Sequence, residues 1–119
     1  MDKNDAIAAF AALAQGTRLD VVRLLVRAGP DGLPAGDIGK ALGVPHNTLS
    51  THLALLTRAG LIRSRREGRS IIYAPDFGGM QTLVGFLLQD CCDGRPEVCR
   101  PMLDAMQAAC CGPAERIAS

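Results

Sequence analysis

Apolar residues recur at helical spacing in several stretches of the chain, and capping or turn residues bound each stretch. The pattern predicts helices over residues 4 to 14, 17 to 28, 34 to 42, 45 to 60 and from 76 onward. A capping box of Thr17 and Asp20 would begin the second helix, and Asp76 would cap the last of these. The apolar stripes are Ile7, Phe10, Ala11 and Ala14; Val21, Leu24, Leu25 and Ala28; Ile38, Ala41 and Leu42; Leu49, Leu53 and Leu56; and Met80, Leu83, Val84, Leu87 and Leu88.

The third and fourth predicted helices are joined by a short connection that contains Gly43, which is typical of a helix-turn-helix. Two β-prone runs follow, residues 61 to 65 and 70 to 73, and the connection over residues 66 to 69 predicts a hairpin. The composition is 48% apolar with 3% aromatic residues, so the core is aliphatic and the fold is expected to be mainly α. We expect one domain over residues 1 to 90 and a separate tail over residues 91 to 119.

The fourth predicted helix carries compact polar residues between its leucines. They are His46, Asn47, Thr48, Ser50, Thr51 and His52. Side chains of this size reach base edges or phosphates in a major groove, whereas ordinary solvated faces favour Lys, Glu and Arg. A solvated face remains the alternative, and for either histidine a capping or partly buried role fits equally well. We therefore favour contact with double-stranded DNA.

The net charge of +1 hides a local basic cluster around the predicted hairpin. Arg63, Arg65, Arg66 and Arg69 lie within seven residues, and Glu67 is the one acidic residue among them. Such a cluster is an electrostatic footprint for phosphate, although a solvated charged turn has the same composition. Next to the polar helix, the cluster favours a DNA-binding surface made of helix and hairpin.

All five cysteines lie in the predicted tail, at Cys91, Cys92, Cys99, Cys110 and Cys111. No leader or membrane-spanning pattern is present, so we expect a cytoplasmic protein whose thiols stay reduced. The odd count also disfavours a closed set of disulfides, which leaves metal or redox chemistry. The tail has no His and no Cys-x(2 to 4)-Cys knuckle, so the thiolates would favour soft ions over zinc.

Four ordered motifs make the chain resemble the arsenic-repressor (ArsR/SmtB) family of metalloregulators over roughly residues 5 to 90. They are Leu13-Ala14-Gln15-Gly16-Thr17-Arg18-Leu19, Ser50-Thr51-His52-Leu53, Ala59-Gly60-Leu61-Ile62 and Arg66-Glu67-Gly68-Arg69. The resemblance implies a winged helix-turn-helix of the α+β type with a two-stranded hairpin wing. It also implies a homodimer that leaves its operator DNA when an ion binds. The apolar faces of the N- and C-terminal helices are expected to join the two subunits across a two-fold axis.

Two ion sites familiar in that family are absent from this sequence. There is no Cys-x-Cys pair near residues 30 to 50, and there is no His between residues 76 and 90. Cys91, Cys92 and Cys99 instead resemble the tail site of a subset of arsenic repressors. The resemblance therefore implies trivalent arsenic or antimony as inducer, with no obligatory cofactor.

Cys110 and Cys111 are predicted to be a second or cross-subunit donor pair. A terminal helix from Pro101, with Leu103, Met106 and Cys110 on one face, would separate Cys99 from Cys110 by about 16 Å. Two alternatives stay open: a repressor that senses another soft metal, zinc, an iron–sulfur cluster or an oxidant, and a small thiol oxidoreductase or metalloid carrier. No Cys-x-x-Cys beside a βαβ pattern and no nucleophile arrangement is found, so we expect no enzyme activity.

Overall fold

The computed structural model describes residues 1 to 89 and 96 to 111, which fall in two compact units, 1 to 86 and 87 to 119. Its elements are α1 (Lys3–Leu13), α2 (Gly16–Ala28), β1 (Leu33–Pro34), α3 (Ala35–Leu42), α4 (His46–Arg58), β2 (Ile62–Glu67), β3 (Ser70–Pro75), α5 (Phe77–Leu88) and α6 (Pro96–Cys111). This mainly α arrangement with a small antiparallel sheet confirms the predicted winged helix-turn-helix. In the described residues no helix is both long and apolar enough to cross a membrane.

The core of the first unit is aliphatic and is built around α2. Val21 and Leu25 of α2 are fully buried, and they join Ile38 of α3 and the three leucines of α4 in one cluster. Burying a side chain of this size contributes about 1.5 to 3 kcal/mol. The cluster therefore fixes α3 and α4 against α2, and α4 presents its remaining face outward.

The hairpin extends further than predicted, because β2 and β3 pair from Ile62 opposite Pro75 to Glu67 opposite Ser70. The predicted four-residue connection is wrong, since the loop contains two residues, Gly68 and Arg69. Gly68 has a φ of 61°, the left-handed conformation that two-residue hairpin loops need at their first position. A short strand that sequence analysis missed, β1, pairs with β3 and makes the sheet three-stranded in the order β1-β3-β2.

The first two helices differ from prediction in their caps and contacts. α1 buries Ala6, Ala9 and Ala12, whereas the predicted face leaves Ile7 55% and Phe10 39% exposed. Small side chains let the α1 backbone approach the core, and this directs the larger apolar residues outward. The predicted capping box of α2 is also wrong, because the cap is Gln15, two positions before Thr17, and its side chain accepts the backbone N–H of Arg18 at 2.8 Å.

Asp76 caps α5 as predicted, since its Oδ1 accepts the backbone N–H of Gly79 at 2.9 Å. A Cβ added at Gly79 would collide with the backbone carbonyl of Gly60, so α5 crosses the end of α4 at a distance that only glycine allows. Leu83 is buried, while Val84 on the same predicted stripe is exposed. One edge of α5 therefore packs on the core and the other faces solvent.

The terminal helix is longer than predicted. α6 begins at Pro96 rather than Pro101, so Cys99 lies on the helix and not before it. Pro96 suits the first helical turn, and Pro101 lies inside the helix, where it removes one backbone N–H donor.

Candidate nucleic-acid interface

α4 exposes the compact polar face that the sequence predicted. Burial of Leu49, Leu53 and Leu56 directs this face away from the core. The exposed members of the face are His46, Asn47, Thr48, Ser50 and Thr51. Pro45 begins the helix without a side-chain cap, so the first backbone N–H groups of α4 are also available to a ligand.

Most polar side chains on this face are uncommitted. The Thr51 hydroxyl donates to the Asn47 backbone carbonyl at 3.5 Å, a long bond that a stronger acceptor can displace. His46, Thr48 and Ser50 make no side-chain hydrogen bond within the part of the chain that the structure describes. Their donors and acceptors are therefore available to bases or phosphates.

His52 has a different environment from the other predicted DNA-contacting residues of α4. It is partly buried, and its Nδ1 lies 3.4 Å from Nη1 of Arg18. The Nε of Arg18 also donates to the Ala12 backbone carbonyl at 2.6 Å. Arg18 therefore joins the end of α1, the start of α2 and the middle of α4. The sequence did not indicate this contact, because the two residues are 34 positions apart.

The four predicted arginines of the wing divide into two groups. Arg65 is held in place: it pairs with Glu67 at 2.7 Å and donates to the Asp31 backbone carbonyl at 2.8 Å. Arg63, Arg66 and Arg69 are exposed, and their side chains make no hydrogen bond or salt bridge across the described residues. The second group can bind phosphate without first losing another partner.

A concave surface joins the polar helix to the wing. It has a volume of about 290 Å³ and is lined by Pro34, Ala35, Gly36, His46, Arg69, Ser70 and Ile71. The first turn of α4 and the tip of the wing therefore border the same groove.

The predicted thiol ligands lie at the other end of the chain. Cys91 and Cys92 are outside the described residues, and Cys99 is partly buried on α6. Cys110 and Cys111 are in the last turn of the same helix, eleven and twelve positions after Cys99. In the described part of the chain no three His, Cys, Asp or Glu side chains are grouped as metal ligands would be. The predicted thiol site therefore stays a prediction.

A helix-turn-helix followed by a basic β-hairpin defines the winged-helix class of DNA-binding proteins. Residues 13–65 match the family model described as a helix-turn-helix domain. The transcriptional activator HlyU of Vibrio cholerae is 32% identical over 75 residues, a match that covers 61% of this chain and 67% of HlyU. The regulator NmtR of Mycobacterium tuberculosis is 40% identical over 63 residues, covering 53% of this chain and half of NmtR.

Solved structures of similar sequence give the same fold. The homodimeric winged helix-turn-helix domain of a possible ArsR-family regulator from Mycobacterium bovis is 27% identical, with a TM-score of 0.60 over 76% of this chain and 80% of that one. Another ArsR family transcriptional regulator is 25% identical, with a TM-score of 0.63 over 71% of this chain and 90% of that one. The chain belongs to the ArsR family of winged helix-turn-helix transcriptional regulators.

Proposed function

We propose that this protein is a homodimeric repressor that binds operator DNA and leaves it when trivalent arsenic or antimony binds the cysteines of its tail. The observation that carries the DNA-binding part is the shared groove of α4 and the wing. An α-helix fits the major groove of B-DNA, and side chains on its exposed face read base edges. Arginines of the wing would then neutralise neighbouring phosphates, which contributes affinity without sequence preference.

The homodimer is supported by the apolar surface that the first unit leaves exposed. Ile7 and Phe10 of α1, with Phe77 and Val84 of α5, are large apolar side chains in contact with solvent. An isologous contact across a two-fold axis would bury these side chains in both subunits. The related domain from Mycobacterium bovis is described as homodimeric. Two α4 helices in one dimer would read half-sites about 34 Å apart.

The proposal that arsenic or antimony is the inducer rests on the positions of the cysteines and on the number of sulfur ligands these ions bind. Every cysteine follows residue 90, beyond the helices and strands that build the DNA-binding surface. Trivalent arsenic and antimony take three sulfurs in a pyramid, a number that Cys91, Cys92 and Cys99 supply. Binding would displace thiol protons and favour a dimer whose α4 helices no longer match the half-sites. A coupling of about 1 to 3 kcal/mol lowers operator affinity some 5- to 150-fold, enough for release.

A second candidate is a regulator whose tail responds to oxidants. The relative HlyU has a solved form described as reduced HlyU, which is 28% identical with a TM-score of 0.55. Vicinal cysteines such as Cys91-Cys92 and Cys110-Cys111 are also candidates for thiol oxidation. Under this alternative, peroxide would release the DNA, a reductant would restore binding, and arsenite would have no effect.

The test is an operator-binding titration by fluorescence anisotropy with the promoter fragment of the protein's own gene region. Arsenite, antimonite, cadmium, zinc and hydrogen peroxide are then added separately to the preformed complex. We expect release by arsenite and antimonite at the lowest concentrations. Failure to bind any duplex with sequence preference would overturn the regulator itself.

The ligand assignment is tested by single replacements. Cys91→Ser, Cys92→Ser and Cys99→Ser should each abolish arsenite-driven release while operator affinity without arsenite is unchanged. The matched control is Cys111→Ser, which changes a thiol on α6 outside the proposed triad. Normal release in all three triad variants would contradict the assignment.

A further inference from the structure

A second groove lies between α1 and the end of α4, and it shares no lining residue with the groove between α4 and the wing. It has a volume of about 330 Å³. Its walls include Ala8, Ala12, Leu55 and Ala59, together with the side chains of Arg18 and Arg58. The groove therefore combines an apolar floor with two guanidinium groups.

The protein does not neutralise the positive charge of this groove. No acidic residue is among the described residues that line it. Arg58 is exposed in the last turn of α4, and its side chain makes no hydrogen bond or ion pair within the described residues. Two guanidinium groups at one groove without a carboxylate raise the local concentration of anions.

Arg18 is held in place and still has hydrogen-bond donors available. Its Nε donates to the Ala12 carbonyl, and its Nη1 lies beside Nδ1 of His52. Its Nη2 makes no hydrogen bond within the part of the chain that the structure describes. Because the side chain is partly buried and already ordered, an anion that binds Nη2 immobilises little that was mobile before.

The volume and the lining indicate the size and the chemistry of the ligand. At roughly 30 Å³ for each water-sized group, the groove accommodates about eleven non-hydrogen atoms. A guanidinium binds a carboxylate through two parallel N–H···O bonds. The alanines and Leu55 offer no polar side chain, so the rest of the ligand is expected to be hydrocarbon.

We propose that this groove binds a small amphipathic carboxylate, whose charged group contacts Arg18 and Arg58 and whose apolar body has about eight carbon atoms. The site uses no cysteine. It also does not require the proposed homodimer, because Ala8 and Ala12 lie about 100° or more around α1 from Ile7 and Phe10. The binding is non-covalent and leaves the ligand unchanged.

The site is tested with octanoate and the full chain, in reducing buffer without DNA or arsenite, by isothermal titration calorimetry. We expect one octanoate bound per chain. Octanamide has the same chain length without the charge, and acetate has the charge without the apolar body. Both should bind at least about tenfold more weakly. Octanamide binding as tightly as octanoate would overturn the role of the arginines, and acetate binding as tightly would overturn that of the apolar floor.

Two pairs of variants locate the site. Arg58→Gln should weaken octanoate binding at least about fivefold, whereas Arg27→Gln removes an exposed charge from the last turn of α2, outside the groove, and should have no effect. Ala8→Leu fills the groove and should abolish binding. Ala41→Leu adds the same side chain at an exposed position of α3 and is its control. Equal effects within either pair would overturn the site.

The outcome is separable from that of the proposed regulation. A protein that binds octanoate but does not release operator with arsenite would refute the proposed inducer and support this inference. A protein that releases operator with arsenite but does not bind octanoate would refute this inference alone.

Discussion

Arg69 is the residue through which the wing is expected to contribute most clearly to DNA affinity. It occupies the second position of the hairpin loop and borders the groove that also contains His46. Its guanidinium is exposed and makes no hydrogen bond or ion pair within the described chain. Arg69→Gln therefore removes a charge without breaking an internal contact, and the fold should be unaffected.

The size of the effect follows from counterion release. Each phosphate neutralised on B-DNA contributes about 0.9 to the slope of log K against log salt. A homodimer carries two copies of Arg69, so the variant should lose about 1.8 from that slope. If the variant and the unchanged protein bind operator equally at about 1 M salt, this loss of slope makes the variant's affinity about 30-fold lower at about 0.15 M salt.

The assay measures operator binding at salt concentrations from roughly 0.05 to roughly 0.4 M. Over this range log K is expected to fall linearly with log salt. Arg69→Lys keeps the charge and should restore the slope. Arg65→Gln is the contrasting variant, because Arg65 is already paired with Glu67 and the Asp31 carbonyl. A slope unchanged in Arg69→Gln, or reduced equally in both Gln variants, would refute the division of the wing arginines into two groups.

Three further outcomes are expected, each measured by urea unfolding unless stated. Gly79→Ala places a methyl group against the Gly60 carbonyl and should lower the free energy of unfolding by about 1 to 3 kcal/mol; Gly78→Ala, with ordinary space around it, should not destabilise. Asp76→Ala removes the N-terminal cap of α5 and should lower the free energy of unfolding by about 1 kcal/mol, whereas Asp76→Ser should leave it nearly unchanged. Arg18→Ala removes the hydrogen bond to the Ala12 carbonyl and should lower the free energy of unfolding by about 1.5 to 3 kcal/mol. It should also weaken operator binding, measured by fluorescence anisotropy.

Periodicity predicted which segments are helical, but not always which face is buried. On α1 the large residues Ile7 and Phe10 suggested the packed face, yet the alanines one position earlier contact the core. Hydrophobic patterns weigh side-chain size, whereas the approach of two backbones depends on small side chains. Because the alanines face the core, Ile7 and Phe10 stay exposed on α1 and are available to a partner subunit.

Local chemistry also explains the remaining differences. Gln15 is not among the residue types that usually cap helices, so the sequence indicated Thr17 instead. Proline is uncommon in helix interiors, so the sequence predicts a helix start at Pro101, yet α6 continues through it. The polar face of α4 was predictable because it depends only on helical spacing from buried leucines. The contact of His52 was not, since it depends on how distant helices meet.

Arg18 lies between α1, which carries part of the proposed dimer surface, and α4 of the proposed DNA-binding surface. Its Nε holds the Ala12 carbonyl at the end of α1, and α1 also carries the exposed Ile7 and Phe10. Its Nη1 lies beside His52 in the middle of α4. A hydrogen bond from a charged donor contributes about 1.5 to 3 kcal/mol, the same magnitude as the coupling of about 1 to 3 kcal/mol needed for release. The loss of one such bond would therefore be comparable in free energy with the coupling that the proposed release requires.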